Sequence, residues 1–242
     1  VVTEGQTAPP AYFGYDAALN KAIRPLFFEE TGSRPLDLAE VLDAQQTRAI
    51  VLDSRSPDEF ALGHLRGSIN VGLAGRYSEF VGGIITAGTP IVIVADEAHE
   101  NESKTRLARI GFDDVIGHLA DPVQAFTNAP KHVVRSSRVE VAGAKAAMAG
   151  VADLQVVDVR QPGETADGVI EGATLIALTQ LNDRINELDP TKPTLLYCAG
   201  GFRSMIASSK LEQAGFTDVI DLLGGYGAWS GAGEPVVVPA GV

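Results

Sequence analysis

Short apolar runs recur along the chain, separated by polar stretches with helical patterning. "AIVLD" (Ala49–Asp53), "PIVIV" (Pro90–Val94), "LQVVDV" (Leu154–Val159) and "TLLYC" (Thr194–Cys198) are each too short for a buried helix. Several are rich in β-branched residues, as strands buried on both faces of a parallel sheet are. "SMIASSKLEQAG" (Ser204–Gly215) instead places Met205, Ile206, Ser209, Leu211 and Ala214 near helical spacing, with Gly215 as a C-terminal stop. Such alternation predicts an α/β fold.

The pattern occurs twice. "AIVLDSRSPDEF" (Ala49–Phe60) aligns with "LQVVDVRQPGET" (Leu154–Thr165), so that Asp53 corresponds to Asp158. "PIVIVAD" (Pro90–Asp96) echoes "PTLLYCA" (Pro193–Ala199), and "IGFDDVIGHL" (Ile110–Leu119) echoes "AGFTDVIDLL" (Ala214–Leu223). Matched segments in the same order, at a nearly constant offset, indicate two tandem domains of roughly 100 residues each, too long a period for a solenoid. Each is expected to hold a mostly parallel central sheet flanked by helices. The expected boundaries are an N-terminal arm over 1–31, a first domain over 32–127, a linker over 128–138 in "TNAPKHVVRSS", and a second domain over 139–242. The arm contains "GQTAPPAYFGYDAALN", rich in proline, glycine and aromatic residues. It reads as an extended arm or as the tail of an upstream domain, and a start at Val1 without methionine fits a piece of a longer protein.

Composition narrows the function. The 242 residues are 45% hydrophobic, enough for a substantial core, and the formal net charge of -12 speaks against a nucleic-acid or anionic-membrane partner. No run is long enough to span a bilayer, and no signal-peptide pattern is present. The single cysteine excludes an internal disulfide and a cysteine-type zinc site. His64, His99, His118 and His132 are scattered without metal-ligand spacing, so no metal site is expected. A reducing, cytoplasmic setting suits a free thiol.

That cysteine, Cys198, ends an apolar run and is followed by Ala199, Gly200, Gly201, Phe202, Arg203 and Ser204. A strand, a glycine-rich turn and a helix start point several backbone N–H groups into one concavity. The helix N-terminus adds partial positive charge and Arg203 a full one. A thiol placed there is expected to be largely thiolate at neutral pH. An inert buried cysteine is the common alternative for an isolated thiol, but the glycine pair, the arginine and the helix start favour a nucleophile facing an anion. Cysteine phosphatases place five residues between cysteine and arginine, enough to encircle a phosphate. Here four intervene, a smaller cradle suited to the outer sulfur of a persulfide.

Taken together, "CAGGFRS" at a strand end, "VVDVR" before it and "LLGGYGAW" (Leu222–Trp229) after it resemble the rhodanese family of sulfurtransferases, over about Ser33 to Pro235. The resemblance implies that Cys198 accepts a sulfane sulfur from thiosulfate or a low-molecular-weight persulfide such as glutathione persulfide. It then passes the sulfur to a thiol, sulfite or cyanide. The amides of Ala199 to Ser204 would bind the persulfide, and Arg203 would close the loop or contact an anionic donor. Asp158 and Arg160 match the family's D-x-R element and imply structural support, with Arg160 paired to a carboxylate such as Glu164. The family's G-H-I-x-G-A segment is represented by "DGVIEGA" (Asp167–Ala173), without histidine. In the first copy Ala95 replaces the cysteine and "DEAHENES" replaces the loop, which implies an inactive partner domain. His99 in that loop reads as a solvated surface histidine. The arm resembles the segment joining a metallo-β-lactamase-type domain to rhodanese domains in persulfide dioxygenases. An iron site would then lie in that absent upstream domain, and no cofactor is expected in this chain. Two further readings remain: a non-catalytic sulfur-carrier or docking module, and a phosphatase or arsenate reductase on the related loop.

Overall fold

The structure is a computed structural model describing residues 32–239; the arm expected over 1–31 lies outside the described residues. Its strands are β1 (Pro35–Leu36), β2 (Ile50–Asp53), β3 (His64–Leu65), β4 (Ile69–Asn70), β5 (Ile91–Val94), β6 (Val115–Leu119), β7 (Val133–Val134), β8 (Ser137–Val139), β9 (Gln155–Asp158), β10 (Thr174–Leu175), β11 (Thr194–Tyr197) and β12 (Val219–Leu222). Ten of them form two five-stranded sheets, in the orders β1-β6-β5-β2-β4 and β8-β12-β11-β9-β10, and β3 and β7 form a two-stranded sheet. Every pairing within the five-stranded sheets is parallel. The two orders are the same strand plan, and the four apolar runs seen in the sequence are the interior strands β2, β5, β9 and β11. All four residues of β5 and of β11 are buried, because helices cover both faces of each five-stranded sheet.

Local chemistry sets the helix starts. Asp37 accepts from the Glu40 N–H while Glu40 reaches back to the Asp37 N–H, capping helix Leu38–Gln46. Ser56 and Glu59 do the same for helix Pro57–Leu62, with proline in its first turn. The 128–138 segment is structured along much of its length. A 3-10 turn at Pro130–His132 leads into β7, which pairs antiparallel with β3, and Ser137 begins β8 at the edge of the second sheet. The connection is therefore hydrogen-bonded to both domains.

The two halves also share a core. One buried cluster contains Leu52, Ile69, Tyr77 and Ile93 from the first half and Val157, Leu196, Cys198 and Ile206 from the second. Helix Arg203–Gln213 lies at the junction, and Ser204, Met205, Ile206, Ala207, Ser208, Ser209 and Leu211 are all buried. Its serines explain how a helix without a continuous apolar surface can be enclosed. The Asn70 N–H donates to Ser209 Oγ at 3.0 Å, and that hydroxyl donates to the Ile206 carbonyl at 2.8 Å. Met205 packs on Phe60 and Ala61, and buried His64 meets Glu212 at 3.3 Å. Small hydroxyl side chains let the first domain's backbone approach and satisfy its donors. Among the described residues, no helix is long and apolar enough to cross a membrane.

Because the core is shared, the two halves are expected to unfold in one cooperative transition. Ile206→Ala should lower the stability of the whole unit by about 2–5 kcal/mol in a urea titration followed by fluorescence and circular dichroism. Two separate transitions, with Ile206→Ala moving only one of them, would contradict the shared core.

Candidate active site

Cys198 follows the last residue of β11, at the carboxyl end of an interior strand, where open parallel sheets place their sites. The residue is 1% exposed. The chain turns through Ala199–Phe202 and enters the helix at Arg203, one residue earlier than the sequence pattern suggests. Ala199 and Gly200 form the exposed tip of the turn, and Gly201 is buried. Gly201 has φ +88, a left-handed conformation open to glycine at little cost. That conformation aims its N–H at Cys198 Sγ, 3.1 Å away. The Ser204 hydroxyl donates to the same sulfur at 3.5 Å.

The floor comes from the second glycine element. The Tyr226 N–H donates to the Cys198 carbonyl at 2.7 Å, and the Gly227 N–H to the Ala199 carbonyl at 3.0 Å. A Cβ at Gly225 would overlap the Cys198 carbonyl, so the two backbones meet because that residue has no side chain. Trp229 is anchored beyond, its Nε1–H donating to the Pro235 carbonyl at 2.9 Å.

Asp158 lies beside this loop because β9 pairs with β11, Tyr197 opposite Asp158. Asp158 is fully buried, and Arg160 grips its carboxylate at 2.6–3.0 Å. The remaining guanidinium donors reach the carbonyls of Glu164 at 3.0 Å and Gly168 at 2.8 Å, and the cation sits 3.8 Å from the centre of the Tyr226 ring. This corrects the pairing of Arg160 with the Glu164 carboxylate. A buried carboxylate two residues away claims the arginine first. The Glu164 carboxylate belongs to Arg203, which donates to it through both terminal nitrogens, at 2.6 and 2.7 Å. These bonds hold the Glu164 pKa down at about 2, with partial burial opposing. Phe202 turns away to the first domain, against Gly72 and 5.8 Å from the Phe80 ring.

The first domain repeats the support without the thiol. Arg55 grips buried Asp53 and donates to the Gly63 carbonyl at 2.9 Å, as Arg160 does to Asp158 and Gly168. Ala95 is buried at the position of Cys198, and Asp96, Glu97, Ala98 and His99 after it are exposed. Among the described residues, no group of three or more histidine, cysteine, aspartate or glutamate side chains could hold a metal ion.

The sequence reading passed over Arg138, Asp221 and Asp58. The Arg138 Nε donates to Asp221 Oδ2 at 2.9 Å, its Nη1 pairs with Asp58, and its Nη2 donates to the Gly201 carbonyl at 3.4 Å. Burial pushes the Asp221 pKa up to about 6, opposed by Arg138. Asp221 is hidden in the apolar strand "VIDLL", and Arg138 in a segment read as linker.

The model of the family described as "Rhodanese-like domain" matches residues 35–129 and 142–232. The chain belongs to the rhodanese-like family. Its matches to curated relatives are each about the length of one rhodanese-like domain. The chain is 42% identical over 83 residues to the YqhL protein of Bacillus subtilis, covering 34% of this chain and 66% of that protein, just under two thirds. It is 35% identical over 94 residues to a sulfurtransferase of Allochromatium vinosum, covering 39% of this chain and 88% of that one. The crystal structure of a thiosulfate sulfurtransferase from Pseudomonas aeruginosa aligns with 84% of this chain and 43% of its own, at 23% identity and a TM-score of 0.39.

The Glu164–Arg203 pair has a pH signature. A carboxylate whose pKa is depressed by folding stabilises the fold above its unfolded value and loses that contribution as pH falls through its folded value. Wild type should therefore lose this increment between roughly pH 4, the ordinary glutamate range, and a pH of about 2. Glu164→Gln should melt lower than wild type at neutral pH and fall less steeply across that window. Thermal melts at closely spaced pH values check this, and parallel curves for the two proteins would contradict it.

Proposed function

We propose that the chain is a sulfurtransferase that carries sulfane sulfur on Cys198. The observation that carries this reading is the sulfur of Cys198, a residue 1% exposed, met by the Gly201 N–H at 3.1 Å and the Ser204 hydroxyl at 3.5 Å. Donors converging on Sγ place the sulfur where a backbone N–H and a side-chain O–H can meet a sulfur carried on it. A sulfur so enclosed suits a donor that presents a single terminal atom. Family membership and the sulfurtransferase relatives support the same reading.

The Cys198 thiolate attacks the outer sulfur of thiosulfate or of a persulfide, R–S–S⁻. The donor's S–S bond breaks, its electron pair leaves with sulfite or the thiolate R–S⁻, and Cys198 becomes a persulfide. An acceptor thiolate, sulfite or cyanide then attacks the outer sulfur, and the Cys198 thiolate leaves. Sulfur moves at each step without an external oxidant or reductant. Arg203 closes the loop by its ion pair with Glu164. Asp158 and Arg160 are scaffold, an assignment supported by the same arrangement around Asp53 and Arg55 in the domain with Ala95. That first domain is an inactive partner covering the helix behind Cys198. The enclosed cradle disfavours a phosphate ester.

Cys198→Ser is expected to keep the fold and reduce thiosulfate-dependent turnover to below about a tenth of wild type, because a serine alkoxide is not accessible at neutral pH. Ala95→Cys in that background should not restore it, since the acidic loop offers no comparable cradle. Steady-state assays with thiosulfate and cyanide check both, and substantial turnover in either variant would contradict the assignment. A wild-type protein that gains sulfur but turns over poorly would point to the carrier module instead.

A further inference from the structure

Three parts of the molecule meet at the Arg138 guanidinium. Residue 138 lies on β8, the edge strand of the second sheet, and pairs with Asp221 on β12. The Arg138 side chain is 11% exposed and that of Asp221 is fully buried. A cation and a carboxylate so withdrawn from water must keep each other. The two other arms of the guanidinium reach Asp58, on helix Pro57–Leu62 of the first domain, and the carbonyl of Gly201. Gly201 is the residue whose N–H meets Cys198 Sγ. Its left-handed Cα is flanked by two peptide planes, one donating to the sulfur and the other accepting from Arg138. A Cβ at Gly201 would come within 3.4 Å of Arg138 Nη2 and 3.2 Å of the Gly224 nitrogen, so the turn is packed against both. Ser204, the second donor to the sulfur, also lies beside Asp221.

We propose that Arg138 is a positioning residue for sulfur transfer: seated on Asp221, it holds the Gly201 carbonyl so that the Gly201 N–H stays on Cys198 Sγ, and through Asp58 it makes that geometry depend on the first domain. The proposal rests on the reading of Cys198 as the sulfur-accepting nucleophile. Arg138 acts through Gly201 and not on the donor. Its loss should therefore slow the chemistry and leave donor binding in place. The first domain, without a thiol of its own, then acts at the active loop as well as covering the helix behind it.

The test uses the full chain with Arg138→Lys, Asp58→Asn and the double variant. Lysine keeps a charge opposite Asp221, but a single ammonium cannot span three partners. Arg138→Lys should lower kcat for thiosulfate about tenfold with KM nearly unchanged. Alkylation of Cys198 by iodoacetamide at neutral pH should slow in the same variant. Asp58 is exposed and its variant should fold as wild type, with a loss of about two- to threefold in both readouts. Adding Asp58→Asn to Arg138→Lys should cost little more, because both changes cut the same link. Unchanged kcat and alkylation in folded Arg138→Lys would overturn the proposal, as would fully additive effects in the double variant. Should Arg138→Lys not fold, Asp58→Asn decides alone, and wild-type values in both readouts overturn it. A wild-type protein that thiosulfate and glutathione persulfide fail to load would defeat the sulfur-transfer reading. The alkylation rates would still decide the part played by Arg138.

Discussion

Between Tyr197, the last residue of β11, and Arg203, the first of the following helix, the backbone has only residues 198–202 in which to turn. The turn closes because Gly201 adopts a left-handed conformation and gives its N–H to Cys198 Sγ at 3.1 Å. Much else near the site serves that turn. Gly225 lets the Tyr226 and Gly227 amides take up the Cys198 and Ala199 carbonyls from below. Glu164 ties down Arg203 at the far end of the loop, and Arg138 holds the Gly201 carbonyl. A buried cysteine met by two donors is the outcome, and the proposed sulfur chemistry rests on this local constraint.

The duplication gives the turn its setting. Both halves keep the strand plan and the buried Asp–Arg pair at the end of β2 and of β9, but only the second has a thiol, at the end of β11, where the first has Ala95 after β5. The first half contributes surface instead. Its β4 backbone lies on Ser209, its Phe60 on Met205, its Phe80 near Phe202, and its Asp58 on Arg138. Helix Arg203–Gln213 is thereby enclosed from both sides, and the residues that begin it have little freedom to move independently of the first domain.

Much of this was legible in the sequence for physical reasons. Interior parallel strands must be apolar on both faces, so β2, β5, β9 and β11 stood out as runs, and the repeat of those runs divided the chain. The cysteine turn was legible because a strand end, two glycines and a helix start are adjacent in sequence. What escaped was long-range pairing. Glu164 is four residues from Arg160, an attractive local partner, yet buried Asp158 holds that arginine and Glu164 reaches Arg203 across the loop. Ser209 is buried because the first domain lies over it, its hydroxyl taking the Asn70 N–H, a contact that the helix's own spacing does not encode. Arg138 and Asp221 are far apart in the chain, and neither sits in a recognisable motif. Their meeting depends on β8 pairing with β12, which no local pattern encodes.

The central claim is that Cys198 is where sulfur is carried. Intact-protein and peptide mass spectrometry after treatment with thiosulfate or glutathione persulfide tests it most directly. The account predicts a gain of one sulfur atom on the peptide containing Cys198, removed again by cyanide or a thiol. A chain that gains no sulfur from either donor while folded and unmodified at Cys198 would contradict it.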